Sequence, residues 1–101
     1  MPDKVKLIGG PEKTVTWICL NDKNQLRIEC YDFGELAQSM FGNDIAYTIT
    51  VHEMDKLFSR AKQAEHLIIP WMTEKFRSYF EIKRWLEENE IGFSVERESW
   101  A

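Results

Sequence analysis

Two seven-residue runs, 14–20 (TVTWICL) and 26–32 (LRIECYD), restrict what this chain can fold into more than any other feature. β-Branched and aromatic residues crowd the first run, and side chains of that shape suit a pleated, half-buried surface. Val15, Trp17 and Cys19 fall on one face of such a strand, and Thr16, Ile18 and Leu20 on the other. Both faces are largely apolar, as in a strand set centrally or covered twice. The polar stretch Asn21-Asp22-Lys23-Asn24 has hairpin length and turn chemistry. In the second run Leu26, Ile28 and Cys30 alternate with Arg27, Glu29 and Tyr31, the pattern of a strand buried on one face and wet on the other. Cys19 and Cys30 lie on adjacent expected strands and are expected to face each other across the hairpin, and two cysteines are too few for a secreted disulfide scaffold, so both are expected as reduced thiols.

The rest of the chain supplies cover for this hairpin. Asp32-Phe33-Gly34-Glu35 has the spacing of a strand stop followed by a helix cap, with Leu36, Ala37, Met40 and Phe41 at helical intervals and Gly42 as the left-handed terminus. The tripeptide Asp-Phe-Gly also occurs in protein kinases, but no glycine-rich loop or paired lysine accompanies it here. A strand is expected over 45–51. A helix with Met54, Leu57, Phe58 and Ala61 inward follows, started either by a Thr50/Glu53 capping box or at His52. Pro70 suits the first turn of a new helix. Ser78 and Glu81 have capping-box spacing, which predicts a break near Tyr79 and a separate helix over 80–89, against one continuous helix over 71–90. Gly92 ends it, and 93–100 (FSVERESW) is a last strand.

The expected fold class is therefore α+β: a mostly antiparallel four-stranded sheet in the order β-β-α-β-α-α-α-β, helices packed on one face. Residues 1–13 are a flexible lead-in in which Val5, Leu7 and Ile8 either add a short edge strand or pack down, and 14–101 form the single domain. At 101 residues, with 44% hydrophobic and 13% aromatic side chains, the chain sustains one core without metal or disulfide staples. Strand order does not follow from the sequence.

Chemistry is harder to find. His52 and His66 each neighbour a glutamate, but adjacent residues do not converge as a catalytic pair must. No serine or cysteine stands in a nucleophile context, and no phosphate loop or metal-ligand spacing occurs. The expectation is a protein that is not an enzyme, with no cofactor and no metal. Tyr31, Tyr47, Phe93 and Trp100 are aromatics that a base-stacking surface would use, but basic residues do not cluster around them and the net charge is −4, so nucleic acid is not expected as a partner. No run is long enough to span a bilayer and no signal peptide is visible, which makes the expected location cytoplasmic, without a membrane partner.

The charge pattern says more. Glu87, Glu88, Glu90, Glu96 and Glu98 place five carboxylates near the end of the chain against Arg97 alone. Glutamates at a helix C-terminus oppose the macrodipole. Such a stretch either forms a solvated edge that keeps a strand from pairing, or steers a basic protein onto the surface. Trp100 is placed to anchor such a contact, with Tyr31 and Glu29 as further exposed-strand candidates.

Asp22, Leu26, Ile28, Glu29, Asp32, Gly34, Phe41, Gly42 and Tyr47, together with WLEENEIGF at 85–93, resemble a group of small, largely uncharacterised bacterial proteins. Cys30 and Glu90 depart from that pattern, each standing where the group tends to have glycine. In size, acidity and architecture the chain is also similar to immunity proteins of bacterial toxin systems, which bind and block a cognate toxin. The resemblance implies an inhibitor of a basic, nuclease-type toxin domain, acting through Glu87, Glu88, Glu90, Glu96, Glu98, Trp100, Tyr31 and Glu29. The alternative is a self-associating structural or regulatory module, with the chain a monomer or weak homodimer.

Overall fold

Residue Ile28 sits at the middle of a row of apolar side chains that crosses the whole sheet: Val5, Ile18, Ile28, Ile49 and Val95 are successive cross-strand partners. The computed structural model describes residues 4–9, 14–32 and 44–100. Five strands carry the row: β1 (Val5–Lys6), β2 (Thr14–Leu20), β3 (Leu26–Asp32), β4 (Asp44–Val51) and β5 (Phe93–Trp100). They lie in the order β1-β2-β3-β4-β5, every neighbouring pair antiparallel.

The class is the expected α+β, but the sheet has five strands where the sequence suggested four. The added strand is β1, two residues long, which no periodicity argument can detect; its register comes from pairing with Ile18 and Trp17. The helix expected over 33–41 lies outside the described residues.

The hairpin register corrects a second expectation. Asn24 N–H donates to the Asn21 carbonyl, Asn21 N–H donates to the Gln25 carbonyl, and Asn24 adopts φ 58°. The loop is thus a type I turn followed by a left-handed residue. The Asn21 side chain fixes it by accepting the N–H groups of Lys23 and Gln25 at 2.9 Å. Closure at Asn21 and Gln25 puts Cys19 opposite Arg27 and Cys30 opposite Thr16. The two thiols lie on opposite faces of the sheet, both buried and neither in a disulfide.

Three helices follow β4: α1 (Met54–Ala61), α2 (Ile68–Lys75), entered through a 3-10 turn at Glu65–Leu67, and α3 (Tyr79–Glu88). They cover one face of the sheet. Leu57, Ile68, Met72, Ile82 and Leu86 from the helices meet Ile18, Leu26, Ile28, Ile49 and Val51 from the strands, all fully buried. Each such side chain contributes about 1.5–3 kcal/mol of burial. Pro70 falls in the first turn of α2, where its missing N–H costs nothing. Trp71, Phe76 and Trp85 pack edge-on or tilted at 5.4–5.8 Å between centroids and tie α2 to α3.

The expected break before α3 is present, but its cap differs. Ser78 is the N-cap residue without a side-chain cap bond, and Glu81 accepts the N–H of Arg77 at 2.6 Å. The Tyr79 N–H is taken instead by the Thr16 hydroxyl on β2, at 3.1 Å. The Thr50/Glu53 box is also absent. Glu53 is itself the N-cap of α1, and its carboxylate accepts the Gly92 N–H at 2.6 Å.

Candidate binding surface

Strand β5 ends the sheet and pairs with β4 alone among the described residues. The helical layer leaves most of it uncovered: Phe93 packs against the core, but Ser94, Val95, Glu96 and Arg97 are all exposed. Val95 belongs to the core row, yet it is 44% exposed while Ile49 beside it is fully buried. Phe80, on the outer side of α3, is 45% exposed and rests edge-on against Tyr79. Tyr79 in turn packs on Tyr47 of β4, whose partner on β5 is Arg97. Burial pushes the Tyr79 hydroxyl up to about 12, with Cys30, Tyr47 and Glu87 adding to the rise. Sequence reasoning overlooked Val95 and Phe80; the alternation of FSVERESW marks Val95 as inward, but only the placement of the helices leaves it uncovered.

The C-terminus of α3 carries most of the acidic set. Ile91 N–H donates to the Leu86 carbonyl and Glu90 N–H to the Glu87 carbonyl, the two bonds of a Schellman motif. Leu86 and Ile91, both buried, make its hydrophobic contact. The motif demands a left-handed residue after the cap, and Glu90 fills it with φ 56°. Glycine ordinarily occupies this position because a Cβ there is crowded. Glu87, Glu88 and Glu90 are exposed and have no ion-pair partner among the described residues, and the last turn of α3 holds no basic residue. Lys62 also follows a helix in the left-handed conformation, at the end of α1. There the cation suits the dipole; at Glu90 both terms are adverse.

The helix-free face of the sheet holds the remaining candidates. Lys6, Trp17, Glu29, Thr48 and Glu96 form a row of successive partners across it. Glu29, expected as an exposed contact, is only 7% exposed and accepts a 2.7 Å bond from the Lys4 ammonium. That bond holds the Lys4 pKa above its ordinary value. The Tyr31 hydroxyl donates to the same carboxylate at 3.5 Å. Burial likewise raises the Cys19 thiol on this face, which works against thiolate chemistry. Glu96 is exposed here, and Glu98 is the register partner of Ala46. Trp100 pairs with Asp44 along the backbone. The structure therefore divides the candidates, with Glu29, Tyr31 and Glu96 on the sheet and Glu87, Glu88 and Glu90 at the end of the helical layer.

The histidines stand apart. His52 Nε2 lies 2.9 Å from the Ser94 hydroxyl at the exposed start of β5, and His66 lies in the 3-10 turn. Shallow depressions among the described residues include one of about 280 Å³ lined by Phe80, Glu81 and Arg84 and one of about 310 Å³ lined by Gln63, Leu67, Pro70, Trp71 and Glu74. Neither histidine lines them. Among the described residues no three His, Cys, Asp or Glu side chains are grouped to hold a metal ion, and no helix is long and apolar enough to cross a membrane.

No family model matches the chain, and no curated protein or solved structure matches it either.

Proposed function

We propose that the protein is a non-catalytic binding protein of the immunity type, which inhibits a basic, nuclease-type toxin domain by laying an acidic surface over it. The observation that carries this reading is Glu90. A carboxylate is held in a left-handed conformation at a helix C-terminus, beside Glu87 and Glu88. Backbone crowding and the helix dipole both disfavour it, and no cation among the described residues offsets either. Stability alone would place glycine, asparagine or lysine at this position. A cost of this kind concentrated on one exposed patch is what selection for a contact leaves behind. A partner that handles polyanionic nucleic acid carries a cationic site, and opposite charge speeds its capture about 10- to 10³-fold. Glu96, exposed on β5, extends the acidic surface.

The test is a triple charge reversal, E87K/E88K/E90K, in a pull-down from the native host followed by titration of the captured protein. Association is expected to slow by about tenfold or more and to lose most of its salt dependence, while the fold stays intact. Unchanged affinity with an unchanged salt slope overturns the reading.

A further inference from the structure

We propose that β5 is a self-recognition strand. Two copies of the chain join antiparallel about a two-fold axis at Val95, merging their sheets into one of ten strands. The inference goes beyond the inhibitor reading and does not depend on it.

The phase of the β4–β5 ladder comes first. His52 N–H donates to the Gly92 carbonyl at 2.8 Å, and this pair continues the register in which Val51 faces Phe93. Hydrogen-bonded and non-bonded pairs alternate in an antiparallel ladder. Ser94 and Glu96 therefore turn their backbone groups toward β4, while Phe93 and Val95 turn theirs to the outer edge of the sheet. An edge that displays such groups over an eight-residue strand is a template for strand addition.

Side chains then select the occupant and the register. A two-fold axis normal to the sheet keeps the helices of both copies on one side and pairs each residue with a mirror position about the axis. Centred on Glu96, the axis sets two Glu96 carboxylates directly opposite in a non-bonded pair, where side chains approach most closely. Centred on Arg97, it opposes two Arg97 residues and sets Glu96 against Glu98 twice. Centred on Val95, it places Val95 on Val95 as a hydrogen-bonded pair, Phe93 opposite Arg97 of the second copy, and Ser94 opposite Glu96 of the second copy. Of these three registers, only the one at Val95 opposes no like charges. It also joins the apolar rows end to end. Val95, the 44% exposed end of the row that runs through Ile49, Ile28 and Ile18, meets its own copy. The charges of β5 thus disfavour the registers centred on Glu96 and Arg97, and the apolar row favours the one at Val95.

Sedimentation of the full chain over a wide concentration range tests the proposal, alongside three variants. The wild type is expected to show a concentration-dependent monomer–dimer equilibrium. Val95→Pro deletes an N–H that faces outward and spares the β4 ladder, so it is expected to lose the dimer while keeping its circular dichroism. Val95→Cys is expected to cross-link on mild oxidation, because Cα atoms of a hydrogen-bonded pair are about 5.5 Å apart, within disulfide reach. Glu96→Cys lies two residues out of register and is expected not to cross-link. The native Cys19 and Cys30 are buried and do not compete. A wild type that stays monomeric at every concentration overturns the proposal. So does a Val95→Pro protein that is folded and still dimeric, or cross-linking through position 96 in preference to 95. Should Val95→Pro fail to fold, the two cysteine variants still decide the register.

Discussion

The hydroxyl of Thr16, on strand β2, accepts the backbone N–H of Tyr79 at 3.1 Å and so caps helix α3 from across the core. The side chain of Ser78, the residue in the cap position, makes no such bond. Thr16 is itself buried, so the N–H it satisfies has no water to turn to. Thr16→Val keeps the shape and removes the acceptor, and it is expected to cost about 1–3 kcal/mol. Thr16→Ser keeps the acceptor and should recover most of that loss. Denaturant midpoints of the two variants, at unchanged slope, make the comparison.

Gly92 is required by an approach, not by a dihedral angle. A Cβ built there would lie 2.7 Å from Glu53 Oε1, the atom that accepts the Gly92 N–H. Gly92→Ala must therefore push the carboxylate away and break the tie between α1 and the entry to β5. Its destabilisation is expected to shrink in a Glu53→Ala background, where the obstacle and the bond are both gone. A double-mutant cycle with a coupling of about 0.5–3 kcal/mol is the expected result, and additivity would show that the crowding lies elsewhere.

Glu90 offers a test in which stability and binding move in opposite directions. Glu90→Gly relieves the left-handed conformation at φ 56° and is expected to stabilise the protein by about 1 kcal/mol. The same change removes a carboxylate from the acidic end of α3, so partner capture should weaken. Thermal unfolding of the purified variant gives the first readout and partner titration gives the second.

Tyr79 makes stability fall at alkaline pH. Its hydroxyl is raised from an ordinary 10.0 to about 12, chiefly by burial. The folded state thus holds this proton more tightly than the unfolded chain does. The contribution is fully present below about pH 10 and is lost as pH climbs through about 12. Tyr79→Phe is expected to flatten that part of the pH–stability profile, as measured by urea unfolding across this window.

Much of the fold was legible in the residues. TVTWICL and LRIECYD announce a hairpin through alternation and β-branching, and α3 was separated from α2 by the chemistry around Ser78. Legibility stopped where a choice depended on partners distant in the chain. The expected facing of Cys19 and Cys30 failed on the span of the turn: closure at Asn21 and Gln25 sets Cys19 against Arg27, and even a loop over 21–24 alone would set it against Leu26, well short of Cys30. Val5–Lys6 is too short to show a period and exists as a strand only through β2. Both expected capping boxes had the right spacing, yet the Thr16 hydroxyl takes the N–H at the start of α3, and the Glu53 carboxylate at the start of α1 accepts the Gly92 N–H instead of capping the helix.

The candidate surfaces divide in the same way. The acidic run through Glu87, Glu88 and Glu90 is readable from the residues alone, because charge is a property of residues and the end of a helix can be read from its stripe. The alternation of 93–100 is readable in the same way. The place of β5 at the margin of the sheet, the exposure of Val95 beyond the helices and the bond that draws Glu29 to Lys4 arise only when the layers pack. Exposure belongs to the packing of layers, and which strand is left at the edge depends on long-range pairing that local pattern does not encode.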